Sequence, residues 1–233
     1  MEYGSLYLIP NYLGEPSKHK FDITILSTIE KIEYFIFENE KPGRAFIKSI
    51  LPQKSQVKLI VSVLNKFTKE EYLNSFLEPC LQGNNVGLIS DAGCPGIADP
   101  GAKVVSIAHK KKITVVPLVG PSSIFLALMG SGINGQNFKF NGYLSIDKKA
   151  RKEQIILLEK KSSFTTQIFM ETPYRNENLI LDLVKFLKPS TKLCIATDIT
   201  LDSELIKTDT IENWKKNKVK YNKRPSIFII QSD

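Results

Sequence analysis

Apolar positions along the chain fall into two patterns that take turns. Short runs, continuous or alternating, predict strands at 5–9, 34–38, 57–63, 86–90 and 113–119. Between them, apolar residues spaced three and four apart predict helices at 23–33, 43–51, 69–81 and 101–111. The third helix runs into Gly83-Asn84-Asn85, a stop that leads into the next strand. The fourth opens on Asp99-Pro100-Gly101, with Asp99 as N-cap and Pro100 at the first helical position. Strands separated by helices in this way build a mainly parallel sheet covered by helices.

The second half keeps the rhythm. A helix at 121–129 precedes a strand at 138–144, a charged helix at 148–160, a strand at 164–170 and a helix at 175–187. A strand at 192–199, a short helix at 210–216 and a last strand at 226–231 follow. The turn-rich stretch Pro117-Leu118-Val119-Gly120-Pro121-Ser122-Ser123 separates the halves. The expectation is two α/β lobes, 1–117 and 118–233, joined near residue 118. Ligand sites in such architectures favour the carboxyl ends of strands and the crevice between lobes.

Composition narrows the chemistry. The 233 residues are 42% hydrophobic and 24% charged, a soluble globular balance. No apolar run approaches the roughly 20 residues that span a bilayer. The N-terminus has no basic region ahead of its short apolar stretch, which reads as the first strand rather than a signal peptide. Cys80, Cys94 and Cys194 show no CxxC spacing, so neither a disulfide framework nor a zinc site is expected, and a reducing cytoplasm is. The two histidines, His19 and His109, have no ligand-type neighbours and read as surface residues, His109 at the basic end of a helix. No metal site is expected. The net charge of +8 permits a polyanionic partner such as RNA, although its source is 28 Lys against 4 Arg.

Residues 87–101, GLISDAGCPGIADPG, follow an apolar strand with three glycines, two prolines and two aspartates in eleven residues. Such a segment is rigid and leaves main chain open to a ligand. Similar loops follow other strands at 10–14 and 119–123. None carries G-x-G-x-x-G or a P-loop, so dinucleotide and nucleoside triphosphate signatures are missing. A small ligand with a cationic centre and a carboxylate suits the loop, with Asp91 meeting the cation and main-chain N–H groups the anion. Cys94 has no base nearby in sequence and reads as inert.

The stretch SDAGCPGIADPG closely resembles the S-D-A-G-T-P-x-I-x-D-P-G motif of bacterial methyltransferases that modify the 2′-hydroxyl of a small-subunit ribosomal RNA cytidine, a subgroup of the tetrapyrrole methylase family. Leu6-Tyr7-Leu8-Ile9-Pro10 with Gly14 resembles that subgroup's L-Y-x-V-P-T-P-I-G start. The stretch from Val116 to Ser123 is similar to its V-P-x-P-G-P-S/C-A segment, and Phe169-Met170-Glu171-Thr172-Pro173-Tyr174-Arg175 resembles F-Y-E-S/A-P-x-R. The resemblance implies a two-lobed tetrapyrrole methylase-like fold, mainly parallel in the N-terminal lobe and mixed in the C-terminal lobe. It also implies S-adenosylmethionine in the cleft between lobes and a homodimer. The family's cofactor contacts map onto Pro10, Asp91, Cys94, Ser122, Ser123, Met170, Ala196, Pro225 and Ser226.

Several positions depart from the subgroup. Its E-D-T-R is Glu38-Asn39-Glu40-Lys41 here, and its H-x-H-N-E segment is Val63-Leu64-Asn65-Lys66-Phe67, without histidine. Its R-E-L-T-K reads Thr197-Asp198-Ile199-Thr200-Leu201. The cofactor side is preserved and the substrate side is altered. An aromatic-basic segment, Trp214 to Arg224, offers a surface for phosphates and a stacked base. The leading expectation is a methyltransferase acting on a ribose hydroxyl of small-subunit ribosomal RNA, with Glu38 or Glu171 as general base. The alternatives are methylation of a tetrapyrrole or other small molecule, and a non-catalytic module that binds S-adenosylmethionine or RNA.

Overall fold

The computed structural model describes residues 2–14, 22–216, 220–221 and 223–232, which divide into two compact units, 1–122 and 123–233. His19 lies outside the described residues. Among the described residues no helix is long and apolar enough to cross a membrane.

The first unit runs β1 (Leu6–Ile9), α1 (Ile23–Lys31), β2 (Tyr34–Phe37), α2 (Glu40–Ile50), β3 (Ile60–Val63), α3 (Glu70–Leu73), α4 (Glu78–Leu81), β4 (Val86–Ile89), α5 (Gly101–Lys110) and β5 (Val115–Pro117). Its five strands are all parallel, in the order β3-β2-β4-β1-β5. Both faces of this sheet are covered, which is why β2 and β4 read as unbroken apolar runs. Phe35 and Phe37 of β2 point into a core with Ile25 and Ile29 of α1 and Phe46 and Ile47 of α2. Ile36, between them, joins Leu77, Cys80, Val104 and Ala108 on the opposite face. Each fully buried Ile, Leu, Val or Phe among them contributes roughly 1.5–3 kcal/mol of transfer free energy. Gly43 sets the approach of α2, because a Cβ there would lie 2.5 Å from the Phe37 ring.

Several elements of this unit differ from the sequence expectation, β5 among them, which is shorter than 113–119. Helix α2 begins three residues early, at Glu40, because Pro42 sits in the first turn, where its missing N–H has no helical partner to lose. The helix expected over 69–81 is broken into α3, a 3₁₀ turn at Ser75–Leu77, and α4, whose first turn holds Pro79. Strand β3 is shorter than 57–63, since Val57 is 95% exposed and ahead of the ladder. Helix α5 has Pro100 rather than Asp99 at the N-cap position, while the Asp99 carboxylate accepts from Gly101 N at 2.7 Å.

The second unit runs α6 (Ser123–Ser131), β6 (Phe138–Tyr143), α7 (Lys148–Ser162), β7 (Thr166–Glu171), α8 (Asn176–Phe186), β8 (Lys192–Thr197), β9 (Leu205–Thr210), α9 (Ile211–Trp214) and β10 (Ser226–Gln231). The sheet order is β6-β7-β10-β8-β9; β6 and β7 are parallel and the remaining neighbours antiparallel, a mixed sheet. Its core joins Phe169, Leu193, Ile195 and Phe228 to residues of α7, α8 and α9. Buried Arg151 of α7 donates to Asp182 of α8 from Nε at 2.8 Å and Nη2 at 2.6 Å, fixing the two helices. Strand β9 is not signalled by the sequence. Its LIKTDT is half-buried throughout and owes its strand form to antiparallel pairing with β8 along six residues.

Candidate functional site

Strand β4 lies between β1 and β2 in the first sheet. After β1 and β2 the chain passes into α1 and α2 on one face; after β4 it passes into α5 on the other. Loops that leave neighbouring carboxyl ends for opposite faces open a crevice, where open α/β sheets bind ligands. The residues at these three ends are Pro10 and Asn11, Glu38 and Asn39, and Ser90 and Asp91.

Side chains tie these ends together. Asn11, only 5% exposed, donates from Nδ2 to Ser90 O at 2.9 Å and Asp91 O at 3.1 Å, and its Oδ1 accepts from Tyr12 N at 2.7 Å. Main-chain bonds from Asn11 N to Gly93 O and from Gly93 N to Tyr12 O complete the clamp. Asn39 Nδ2 donates to Asp91 Oδ2 at 2.5 Å, and Asp91 N faces Glu38 Oε2 at 3.3 Å. Burial pushes the Glu38 carboxyl above its usual value; the Asp91 N–H opposes this, and the charges of Asp91 and Asp99 add to it. Asp99 is likewise raised by burial, against the donated N–H groups of Gly101 and Gly96.

The loop after Asp91 holds Gly93, Gly96 and Ala98 in the left-handed region, at φ 68°, 82° and 63°. Only glycine enters that region without strain, so Ala98 stores some within this loop. The segment 119–122 lies against the same loop. Cys94 Sγ is 3.3 Å from Pro121 O, and a Cβ on Gly120 would overlap the Pro10 ring at 2.1 Å. Pro10, Asp91, Cys94 and the approach to Ser122 are therefore brought together in the first unit. Burial pushes the Cys94 thiol up, away from thiolate reactivity.

In the second unit, Ser123 opens α6. Met170, Ala196 and Ser226 are cross-strand neighbours: Ile227 of β10 faces Met170 and Ala196, while Ser226 faces Glu171 and Thr197. Pro225 O accepts from Asp198 N at 2.9 Å, fixing the entry to β10. Asn176, fully buried, donates from Nδ2 to Arg224 O at 2.6 Å, Ser226 Oγ at 3.0 Å and Tyr221 O at 3.2 Å.

Glu171 has different surroundings from Glu38. It is buried, and its Oε1 accepts from Thr172 N at 2.7 Å and Arg175 Nε at 2.9 Å, with Arg175 Nη2 also in contact. A carboxylate fixed in this way holds the turn after β7 in shape.

The aromatic-basic segment from Trp214 to Arg224 corrects the sequence expectation. Residues 217–219 and 222 lie outside the described residues. Trp214 and Tyr221 are 4% and 2% exposed, packed edge to face in the core, and Trp214 Nε1 donates to Leu193 O at 2.8 Å. Neither ring presents a face to a base. Arg224 Nε is bound to Asp198 Oδ2 at 2.7 Å. Among the described residues no group of three or more His, Cys, Asp or Glu could hold a metal ion.

Asn11, Asn39 and Asn176 are the site residues that sequence reasoning missed. Each stands just past a strand end or at a helix start; Asn11 and Asn176 satisfy main-chain groups of a neighbouring segment, and Asn39 holds the Asp91 carboxylate.

No protein-family model matches the chain. Curated relatives do. Ribosomal RNA small subunit methyltransferase I of Buchnera aphidicola subsp. Schizaphis graminum is 31% identical over 97% of this chain and 78% of its own length. The protein of the same name from Vibrio cholerae is 32% identical over 86% of this chain and 67% of its own. Among solved structures, the methyltransferase CobJ matches with a TM-score of 0.65 at 11% identity, covering 98% of this chain and 94% of its own, which shows a shared fold. The preserved motifs and the length of these alignments agree: the chain is a methyltransferase that belongs to the ribosomal RNA small subunit methyltransferase I group of the tetrapyrrole methylase family.

Proposed function

We propose that this methyltransferase transfers the methyl group of S-adenosylmethionine to a ribose hydroxyl of small-subunit ribosomal RNA. The observation that carries the reading is the Glu38 carboxyl beside Asp91 at the carboxyl ends of β2 and β4, in a chain whose relatives are named for ribosomal RNA methylation. When bound, S-adenosylmethionine supplies an electrophilic methyl group on a positively charged sulfur. The first unit suits such a group: Asp91 is an exposed carboxylate, and the glycine-bearing loop beside it leaves main chain open. Pro10 and Cys94 lie on the same loops, against Gly120 and Pro121, and Ser122 follows them in the chain. In the second unit we assign cofactor contacts to Ser123, Met170, Ala196, Pro225 and Ser226 on the strength of the family motifs, with Met170, Ala196 and Ser226 also close together across β7, β8 and β10.

A ribose hydroxyl is a weak nucleophile. In the methyl transfer that S-adenosylmethionine would supply, Glu38 would take the proton of the ribose hydroxyl. A carboxyl raised by burial and by two neighbouring acids is a better base than an ordinary one, and such bases contribute about 10²–10⁴ in rate. Positioning of the acceptor contributes roughly 7–11 kcal/mol more. The fixed Glu171–Arg175 pair leaves Glu38 as the preferred base. The family resemblance also supports a homodimer, which sedimentation velocity tests, and the three free cysteines support a cytoplasmic setting.

The experiment incubates the protein with methyl-labelled S-adenosylmethionine and a lysate of cells lacking the gene, then counts label in separated RNA, protein and small-molecule fractions. Label in small-subunit RNA is the expected result. Label confined to small molecules overturns the reading in favour of a tetrapyrrole-like substrate, and no label in any fraction reduces the protein to a binding module.

A further inference from the structure

We infer that Phe67, with Lys66 beside it, is a stacking platform for a nucleobase next to the reactive ribose; the inference rests on the RNA reading above. Strand β3 is the neighbour of β2 in the first sheet, with Val63 level with Phe37, and Leu64 N donates to Phe37 O at 2.8 Å. The chain therefore leaves β3 beside Glu38. One strand spacing of about 4.8 Å separates the two carboxyl ends, within reach of a single nucleotide.

The turn that follows is fixed by its own polar groups. Asn65 Oδ1 accepts from Phe67 N at 2.9 Å, and Asn65 N donates to Thr68 Oγ1 at 2.9 Å. Thr68 N returns a bond to Asn65 O at 3.0 Å, and Thr68 Oγ1 donates to Val63 O at 3.2 Å. Buried Leu64 and Leu73 anchor the two sides. What this turn presents is a phenyl ring that is 80% exposed.

A lone exposed apolar side chain needs no explanation by itself. Here three further facts bear on it. Lys66 Nζ lies 4.9 Å from the centre of the Phe67 ring, and among the described residues no carboxylate is paired with it. A cation on one face of the ring leaves the other for a base, and its charge is available to the adjoining phosphate. The other aromatic-basic segment has its rings in the core, so it does not offer such a surface. Finally, the platform stands at the same sheet end as the proposed base, on the segment where the family's histidines are replaced.

The test compares wild type, Phe67→Ala, Phe67→Trp and Lys66→Ala, with small ribosomal subunits and their extracted RNA as probe. It reads RNA affinity, S-adenosylmethionine affinity and methyl transfer. Phe67→Ala is expected to weaken RNA binding about five- to 150-fold, the value of stacking one base, with cofactor affinity unchanged. Phe67→Trp is expected to restore binding, and its emission to be quenched by RNA; the single native tryptophan, Trp214, is buried and serves as an internal reference. Lys66→Ala should reduce the slope of log affinity against log salt by about 0.7. If wild type methylates the RNA and Phe67→Ala binds it within twofold, the inference is overturned and the RNA reading stands. An equal loss of cofactor affinity in Phe67→Ala also overturns it, as an effect on folding. If wild type labels only small molecules, the reading and the inference fall together.

Discussion

Replacing Asn11 with Ala removes one buried amide and three hydrogen bonds, to Ser90 O, Asp91 O and from Tyr12 N. Ser90 O and Tyr12 N are enclosed and lose their side-chain partner; Asp91 O is nearer solvent and finds water instead. A net contribution of about 0.5–1.5 kcal/mol per bond, with the added cost of leaving buried groups unsatisfied, gives about 2–4 kcal/mol for the three. The loss is local, because the amide joins the loop after β1 to the loop after β4. The readout is hydrogen exchange at Gly93 N, which bonds to Tyr12 O across the same clamp. A cost of 2–4 kcal/mol corresponds to roughly 30- to 1,000-fold faster exchange if local opening controls it. Asn11→Thr, which brings in the family's residue at this position, returns one donor and should recover about 1 kcal/mol. Gly93 protection within threefold of wild type in Asn11→Ala would show that the main chain holds the loop unaided and would refute this account.

Glu38→Gln should slow methyl transfer about 10²–10⁴-fold and remove the acid limb of the pH–rate profile, whose inflection should lie above the ordinary carboxylate value of 4.5. The sign for stability is opposite. A carboxyl whose folded value is raised destabilises the fold as pH climbs through that value, so Glu38→Gln should melt higher than wild type near neutrality, with the gain fading below pH 4.5. Asp91→Ala should raise the dissociation constant for S-adenosylmethionine about ten- to 150-fold in calorimetry, the worth of a charge-assisted contact, without changing the far-ultraviolet circular dichroism. Gly43→Ala places a Cβ 2.5 Å from the Phe37 ring, and overpacking of about 1–3 kcal/mol should lower Tm by roughly 2–12 °C in a thermal melt.

The two sheets were largely legible because buried parallel strands and amphipathic helices have strong periodic signals, as YFIF of β2 and the α5 segment show. What escaped was set by tertiary partners. Strand β9 carries Lys207, Thr208, Asp209 and Thr210, a polar run that is a strand because β8 is beside it. The Asn11 and Asn176 clamps act between residues 79 to 80 and 45 to 50 positions apart, a separation that no local pattern marks.

The same distinction explains why the cofactor side and the acceptor side read so differently. The loops proposed to hold the cofactor rely on main-chain conformation: Gly93 and Gly96 at positive φ, and Pro10 against Gly120. Few residues satisfy such constraints, so a motif persists in the letters. The acceptor side relies on what a side chain presents to solvent, and many residues can occupy such positions without disturbing the fold. On the acceptor side proposed above, exposed Phe67 with Lys66 is of this kind, while Trp214 and Tyr221, which look alike in sequence, are held in the core. Chemistry of the letters alone does not separate the two groups; burial does. If the proposed acceptor side is right, the exposed Phe67 ring at the same sheet end as Glu38, and not the aromatic-basic composition of the chain as a whole, is where substrate choice is to be sought.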